Sequence, residues 1–282
     1  MLWCNGAFIA QSEFRVSPSD RALGLGESIF ETMGYNAGDI RFLRAHMERF
    51  ARGASLLGLS VPDALADQLP LIARELAAGL GTSEVALRLT LSGGAGPRGL
   101  DPPTHRECLT WVQAFVQTPA PQTQSHLIMV EQKVDERSAL CSIKSGSRLH
   151  LILARRQAKA MGAQDAILGN QAGRIACTSA ANLFVLIDDH WRTPPVSEGA
   201  MPGIIRGALL GASMSVRDGT GAARHCIEHA ITLADLARAK AGFITNALIG
   251  IQPVAQIGEA RLQIGEGASA DQIWRRLYVN FQ

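Results

Sequence analysis

Lysine is scarce in this chain. Lys133, Lys144, Lys159 and Lys240 are the only four, and arginine supplies nearly all the other basic charge. Lys159 and Lys240 lie in Ala/Arg-rich runs of helical spacing and Lys133 lies among charged neighbours, so these three read as solvated surface. Lys144 is set differently. Leu140-Cys141-Ser142-Ile143 precedes it, Ser145-Gly146-Ser147 makes a small-residue turn after it, and a strong helical pattern begins at Arg148. This is where a chain would place an inward-facing amine. A desolvated or cation-flanked lysine loses proton affinity and becomes a nucleophile toward carbonyls. Taken alone, the stretch also describes a loop lysine ahead of a helix, and alone it favours that plainer role.

Other residues of suitable type lie at turns. Met201-Pro202-Gly203-Ile204-Ile205-Arg206 opens a helix, and the free N–H groups of a helix start suit a phosphate. Thr245-Asn246-Ala247 ends a strand in a similarly polar, small-residue turn, and Arg49 lies on an early helix. Two such turns, an isolated lysine and Arg49 together suggest a phosphorylated aldehyde cofactor, held at its phosphate and joined to Lys144 as a Schiff base. Gly94-Ala95-Gly96-Pro97-Arg98-Gly99 matches the GxGxxG string of dinucleotide sites, which requires a helix to open there. Leu100-Asp101-Pro102-Pro103 forbids that helix, and Pro97 removes a donor. What remains is a glycine loop displaying one guanidinium, Arg98. It either clamps a carboxylate through a bidentate fork or is a surface arginine, and the loop alone favours the second. His225, Cys226, Glu228 and His229 are metal-capable types, but they lack fixed tetrahedral spacing and a partner cluster, so no metal site is expected. Ser142, Ser145 and Lys144 lack the helical SxxK spacing of a Ser–Lys hydrolase.

Positioning these groups takes 282 residues, long for one core and suited to two domains or one large α/β unit. With 47% hydrophobic and 18% charged residues the chain reads as an ordinary soluble globular protein, and a net charge of +2 gives no nucleic-acid footprint. Met1–Ala10 has neither a basic n-region nor a long apolar h-region, and no apolar run reaches membrane-spanning length. Five cysteines, odd in number and without CxxC spacing, point to reduced thiols in a cytoplasmic protein.

The patterning predicts an Asn5-Gly6 hairpin, a second hairpin over Ser28–Leu43 turning at Asn36–Asp39, and helices over Leu43–Leu57 and Pro62–Leu80. Glu84–Leu91 alternates as a half-buried strand and Cys108–Val116 is another. Thr118–Ser125, polar with two prolines, is the linker candidate. Beyond it come strands at Leu127–Val130, Asp165–Leu168, Leu183–Ile187, Phe243-Ile244 and Ile251–Ile257. Helices are expected at Arg148–Met161, Ile204–Met214, Thr232–Ala241 (with a Thr232/Asp235 capping box) and Asp271–Tyr278.

Set in order along nearly the whole chain, these residues resemble the class IV pyridoxal-phosphate enzymes, the family of branched-chain and D-amino-acid aminotransferases and of 4-amino-4-deoxychorismate lyase. Asp20–Thr32 is similar to the family's opening strand signature, and His46-Met47-Glu48-Arg49-Phe50 to its His-x-x-Arg-Leu helix. Ile143-Lys144 falls at the Schiff-base lysine, Ala180–Phe184 at the Asn-Leu-Phe strand, Gly203–Arg206 at the phosphate-cup helix start, and Asn246-Ala247-Leu248 with Pro253-Val254 at the last cup turn. The resemblance implies a two-domain α/β (α+β) fold, with an N-terminal α/β sandwich over 1–117, a linker over 118–125 and a C-terminal pseudo-barrel over 126–282. It also implies a homodimer in which Arg98 meets a substrate carboxylate, in its own subunit or the partner's. Lys144 would carry pyridoxal 5'-phosphate, and Arg49, Ile204, Ile205, Asn246 and Ala247 would hold it. Within the family, Lys144–Leu149, Asn246-Ala247-Leu248 and the Gly94–Gly99 loop are most similar to the lyase, which acts on a chorismate-derived substrate. An aminotransferase on amino-acid substrates is the near alternative. One position departs: where the family places a glutamate against the cofactor's ring nitrogen, this chain has Cys177. A neutral thiol there weakens the electron sink, implying poor transamination, with elimination less affected, or a member that binds the cofactor but is catalytically impaired.

Overall fold

The computed structural model describes residues 1–117, 125–211, 215–265 and 272–273. The chain divides into two units, Met1–Thr118 with Ile143–Ser147, and Pro119–Ser142 with Arg148–Gln282.

In the first unit, Asn5 (φ 42°) and Gly6 (φ 96°) take the left-handed backbone of a two-residue hairpin, joining β1 (Leu2–Cys4) to β2 (Ala7–Ile9). Ala37 (φ 49°) and Gly38 (φ 113°) do the same between β3 (Ser28–Asn36) and β4 (Asp39–Ile40). With β5 (Glu84–Ser92) and β6 (Thr110–Val116) they form a six-stranded antiparallel sheet in the order β2-β1-β6-β5-β3-β4. The short helix α1 (Arg21–Leu25) is capped by Asp20, whose carboxylate accepts the Ala22 N–H at 2.8 Å. Helices α2 (Leu43–Leu56) and α3 (Leu65–Gly79) bury Phe50, Leu69, Ile72 and Leu76 in one core with Met33, Leu87, Leu89 and Val112 of the sheet. Two expectations shift. α3 begins at Leu65, because the Leu65 N–H first closes a turn onto the Pro62 carbonyl at 3.1 Å. β5 is buried along most of both faces, with only Arg88 exposed, because it lies between β3 and β6 and its intervening Ala86, Thr90 and Ser92 are small.

The second unit runs β7 (Ser125–Val134), α4 (Leu149–Ala160), β8 (Asp165–Asn170), β9 (Ile175–Thr178), β10 (Asn182–Ile187), β11 (His190–Thr193), α5 (Ile204–Gly211), β12 (Ser215–Arg217), β13 (Ala223–Glu228), α6 (Leu233–Ala237), β14 (Gly242–Asn246), β15 (Gly250–Ile257) and β16 (Ala260–Arg261). Its sheet order is β12-β13-β11-β10-β14-β15-β7-β8-β9, with β16 on β15, and β7 is parallel to both β8 and β15. The terminal strand β9 leads straight into the interior strand β10 through a tight turn, in which the Thr178 N–H meets the Ala181 carbonyl at 3.0 Å. The sheet therefore curls back toward its own middle, as a pseudo-barrel does. Its core is Leu183, Val185, Ile187, Ile244 and Val254. The Thr232/Asp235 capping box forms, but α6 stops at Ala237, since the Lys240 N–H is drawn to the Leu186 carbonyl at 3.0 Å. Of the expected linker only Ser125 falls within the described residues. The same holds for Gln272 and Ile273 of the expected terminal helix.

Candidate active site

Lys144 is placed by the first unit. Ile143, 3% exposed, is buried in that unit's core, a burial that contributes about 1.5–3 kcal/mol. The residues after it lie along β3 as a short added strand. The Phe30 N–H donates to the Lys144 carbonyl at 2.9 Å, Ser145 bridges Ile29, and the Gly146 N–H donates to the Ser28 carbonyl at 2.8 Å. This pairing sets the Lys144 Nζ 4.4 Å from the centroid of the Phe30 ring. The Arg88 guanidinium carbon lies 3.9 Å from the same centroid, a cation–π arrangement with two cations on one ring.

A buried charge cluster occupies the neighbouring elements. α2 carries His46 and Arg49 three residues apart on one face, and β3 turns Glu31 to the core side with Ile29 and Met33. Arg49 grips Glu31 with a two-point fork, Nε to Oε1 at 2.7 Å and Nη2 to Oε2 at 2.6 Å. His46 Nδ1 lies 2.7 Å from Glu31 Oε2. A carboxylate only accepts, so Nδ1 carries the proton, and the buried Nε2 has no hydrogen-bond partner among the described residues. Burial by itself raises the Glu31 pKa, but the hydrogen bonds from Arg49 and His46 outweigh it and hold the carboxyl at about 2. Burial pushes His46 down, against the pull of Glu31. Phe30, Glu31, His46 and Arg88 were not singled out from sequence as site residues. The first three lay inside the Asp20–Thr32 and His46–Phe50 resemblances, and Glu31 was a lone carboxylate between Phe30 and Thr32.

Arg98 stands exposed on the loop after β5. In the second unit, Cys177 is buried in β9 opposite Leu168 of β8. Burial, with smaller contributions from Cys141 and Asp165, pushes its thiol up to about 12, so it is neutral at physiological pH. Ile204 and Ile205 open α5, whose first N–H groups have no partner inside the helix. Asn182 fixes that start, its Nδ2 donating to the Met201 carbonyl at 2.8 Å. A Cβ on Gly203 would stand 1.9 Å from Asn182 Oδ1, so only glycine permits the approach. The Asn246 side chain shapes its own turn, with Oδ1 accepting the N–H groups of Leu248 and Ile249 at 3.0 Å each; Ala247 lies within it. His225 and Cys226 alternate along β13, His229 lies beyond it, and among the described residues no cluster of three or more potential metal ligands occurs.

The family model "Amino-transferase class IV" matches residues 28–257. The chain is 25% identical over 278 residues to an aminodeoxychorismate lyase of Vibrio harveyi, covering 91% of each protein. It is 25% identical over 209 residues to a D-alanine aminotransferase of Staphylococcus epidermidis, covering 73% of this chain and 72% of that one. The crystal structure of the Escherichia coli branched-chain amino acid aminotransferase superposes with a TM-score of 0.83 at 21% identity, covering 100% of this chain and 94% of that one, a likeness of fold. The chain belongs to the class IV aminotransferase family, and it is a pyridoxal-phosphate-dependent enzyme.

The residues present suit that cofactor: a core-anchored lysine and a rigidly held guanidinium in the first unit, and a glycine-cradled helix start in the second. Cys177, as a neutral buried thiol, offers no carboxylate to such a cofactor.

Proposed function

We propose that the protein is a lyase that eliminates pyruvate from 4-amino-4-deoxychorismate and leaves 4-aminobenzoate. The observation that carries this reading is Cys177, whose thiol is held neutral where the resemblance calls for a glutamate. Bound pyridoxal phosphate supplies an electron-withdrawing ring that acidifies the carbon bearing the substrate's amine. Without a carboxylate to keep the ring nitrogen cationic, that withdrawal is weak, which penalises transamination of ordinary amino acids. Loss of the proton from the amine-bearing ring carbon and cleavage of the neighbouring ring carbon–oxygen bond, with the enolpyruvyl group departing as enolpyruvate and taking up a proton to become pyruvate, yields an aromatic ring, so elimination demands less of the cofactor. The lyase-like sequences at Lys144–Leu149 and Asn246–Leu248 and the Vibrio harveyi relative support the same choice.

The proposed roles fall unit by unit. In the first, Lys144 joins the cofactor and moves protons at the substrate carbon, Arg49 holds phosphate, and Arg98 orients a substrate carboxylate. In the second, the N–H groups of Ile204 and Ile205 and the Asn246-Ala247 turn hold phosphate, and Cys177 faces the ring nitrogen. The protein is proposed to work as a homodimer in the cytoplasm, the oligomer being checked by sedimentation.

Incubation with 4-amino-4-deoxychorismate should release 4-aminobenzoate and pyruvate in equal amounts, and Lys144→Ala should abolish both along with the protein's visible absorption band. A second reading, an aminotransferase on D- or branched-chain amino acids, is favoured by the aminotransferase relatives. Clear amino transfer to an α-keto acid with no pyruvate release would overturn the lyase. A protein that takes up the cofactor yet does neither reaction would mark an impaired family member.

A further inference from the structure

Arg21 lies far in sequence from the Gly93–Asp101 loop, is 5% exposed, and spends its side chain on that loop. Its Nη1 donates to the carbonyls of Gly99 at 3.1 Å and Asp101 at 3.2 Å, and its Nη2 to the carbonyl of Leu100 at 2.7 Å. Its Nε is paired with Glu27, which Arg106 also holds through Nη1 at 2.9 Å. Three consecutive carbonyls directly after Arg98 are therefore bound by one guanidinium, itself fixed by a carboxylate that a second arginine also holds.

The near side of the loop is tied to the same segment. The Arg21 N–H donates to the Gly94 carbonyl at 2.9 Å, the Gly96 N–H to the Ser19 carbonyl at 3.1 Å, and the Gly93 N–H to the Glu27 carbonyl at 2.8 Å. Asp20 bridges Ala95 and accepts the Ser92 hydroxyl at 2.8 Å. Gly96 lies so close that a Cβ there would stand 3.0 Å from Arg21 Cδ. A glycine- and proline-containing loop has every reason to wander, yet on both sides of Arg98 its backbone is held.

We propose that Arg21 is a positioning residue: it presets the Gly93–Asp101 loop so that Arg98 is presented to the substrate carboxylate without a closing step. This rests on the reading above that Arg98 meets substrate. Lysine cannot replace it. A planar fork with five donors spans three carbonyls and a carboxylate together, whereas an ammonium is a point charge with three donors on a flexible stem.

The test compares Arg21→Lys, Arg98→Ala and the double variant, using 4-amino-4-deoxychorismate as substrate and hydrogen exchange at the hydrogen-bonded Gly93, Gly94 and Gly96 amides of the substrate-free protein. Arg21→Lys should raise KM about tenfold with kcat within about twofold, the pattern of lost substrate orientation. The Gly93, Gly94 and Gly96 amides should exchange about tenfold faster, and Arg21→Lys should add nothing to KM once Arg98 is alanine. Unchanged exchange in Arg21→Lys would overturn the brace. Fast exchange with unchanged KM, while Arg98→Ala raises KM, would overturn the link between brace and substrate. An Arg98→Ala variant of normal KM would instead overturn the Arg98 reading itself and with it the purpose proposed for Arg21. Should Arg21→Lys fold poorly, Glu27→Gln loosens the same guanidinium from the other side and should move KM and exchange in the same directions.

Discussion

Glu31 is the residue on which the first unit's electrostatics turn. It is fully buried and ionised only because Arg49 and His46 hold it so. Replacing it with glutamine removes the carboxylate that Arg49 and His46 both hold, and breaking such a buried pair costs about 3–5 kcal/mol. Glu31→Gln should lower stability by that order in urea unfolding, and should weaken cofactor retention if Arg49 has the phosphate role proposed for it, since its guanidinium is no longer aimed. The pair also sets an acid limit. With the Glu31 pKa lowered from 4.5 to about 2, its contribution is complete above 4.5 and is lost as pH falls toward 2. His46, lowered from 6.5 by burial, acts in the same direction, because the unfolded chain takes up that proton first. Stability should therefore begin to fall below pH 6.5 and fall more steeply below 4.5; in Glu31→Gln the steeper loss should shrink. Cys177 makes the complementary prediction. A thiol pushed up to about 12 is neutral across the working range. Cys177→Ser should thus change turnover by less than about threefold, a neutral group replacing a neutral group. A tenfold fall would show that a thiolate had been at work.

At the level of elements, Lys144 depends on a five-residue strap, Ile143–Ser147, that belongs to the first unit although the chain reaches it through strand β7 of the second. Ile143 anchors the strap, and Ile→Ala in a filled core costs about 2–5 kcal/mol. Ile143→Ala should lower turnover more than substrate affinity, because it loosens the amine and leaves Arg98 alone. The strap was legible as a position but not as a strand. Ser145-Gly146-Ser147 are small and carry no strand alternation, and the partner β3 lies more than a hundred residues away. The hairpins and α2 were legible because Asn5-Gly6, Ala37-Gly38 and the spacing of Met47, Phe50 and Ala54 are local signals. β9 and β11 were not, being four residues long, and β9 carries no alternation because it is buried on both faces. The Glu31 cluster was hidden for the same reason as the strap. Each side chain looked ordinary until β3 and α2 packed together. Cys177 was conspicuous in the sequence as a departure, but its neutral state follows from burial, which no spacing of residues reveals.

For the whole molecule, the cofactor should be part of the stability. Cofactor binding can be followed by thermal unfolding of the stripped and the loaded protein. A ligand that binds the folded chain and not the unfolded one stabilises by mass action, about 2.7 kcal/mol at one hundred times its Kd. At about 2–4 °C per kcal/mol for a chain of somewhat smaller size, saturating pyridoxal phosphate should raise Tm by roughly 5–10 °C over the stripped protein. The origin of that increment separates the proposed roles. Pyridoxal lacks the phosphate that Arg49 and the start of α5 are proposed to hold, so it should give a clearly smaller shift. Lys144→Ala should keep most of the phosphate-dependent part, while Arg49→Ala should lose much of it. If pyridoxal raised Tm as far as its phosphate ester, the phosphate roles assigned to Arg49, Ile204 and Ile205 would fail, whatever the protein's activity. If Lys144→Ala abolished the shift entirely, the amine rather than the phosphate would be the main hold on the cofactor.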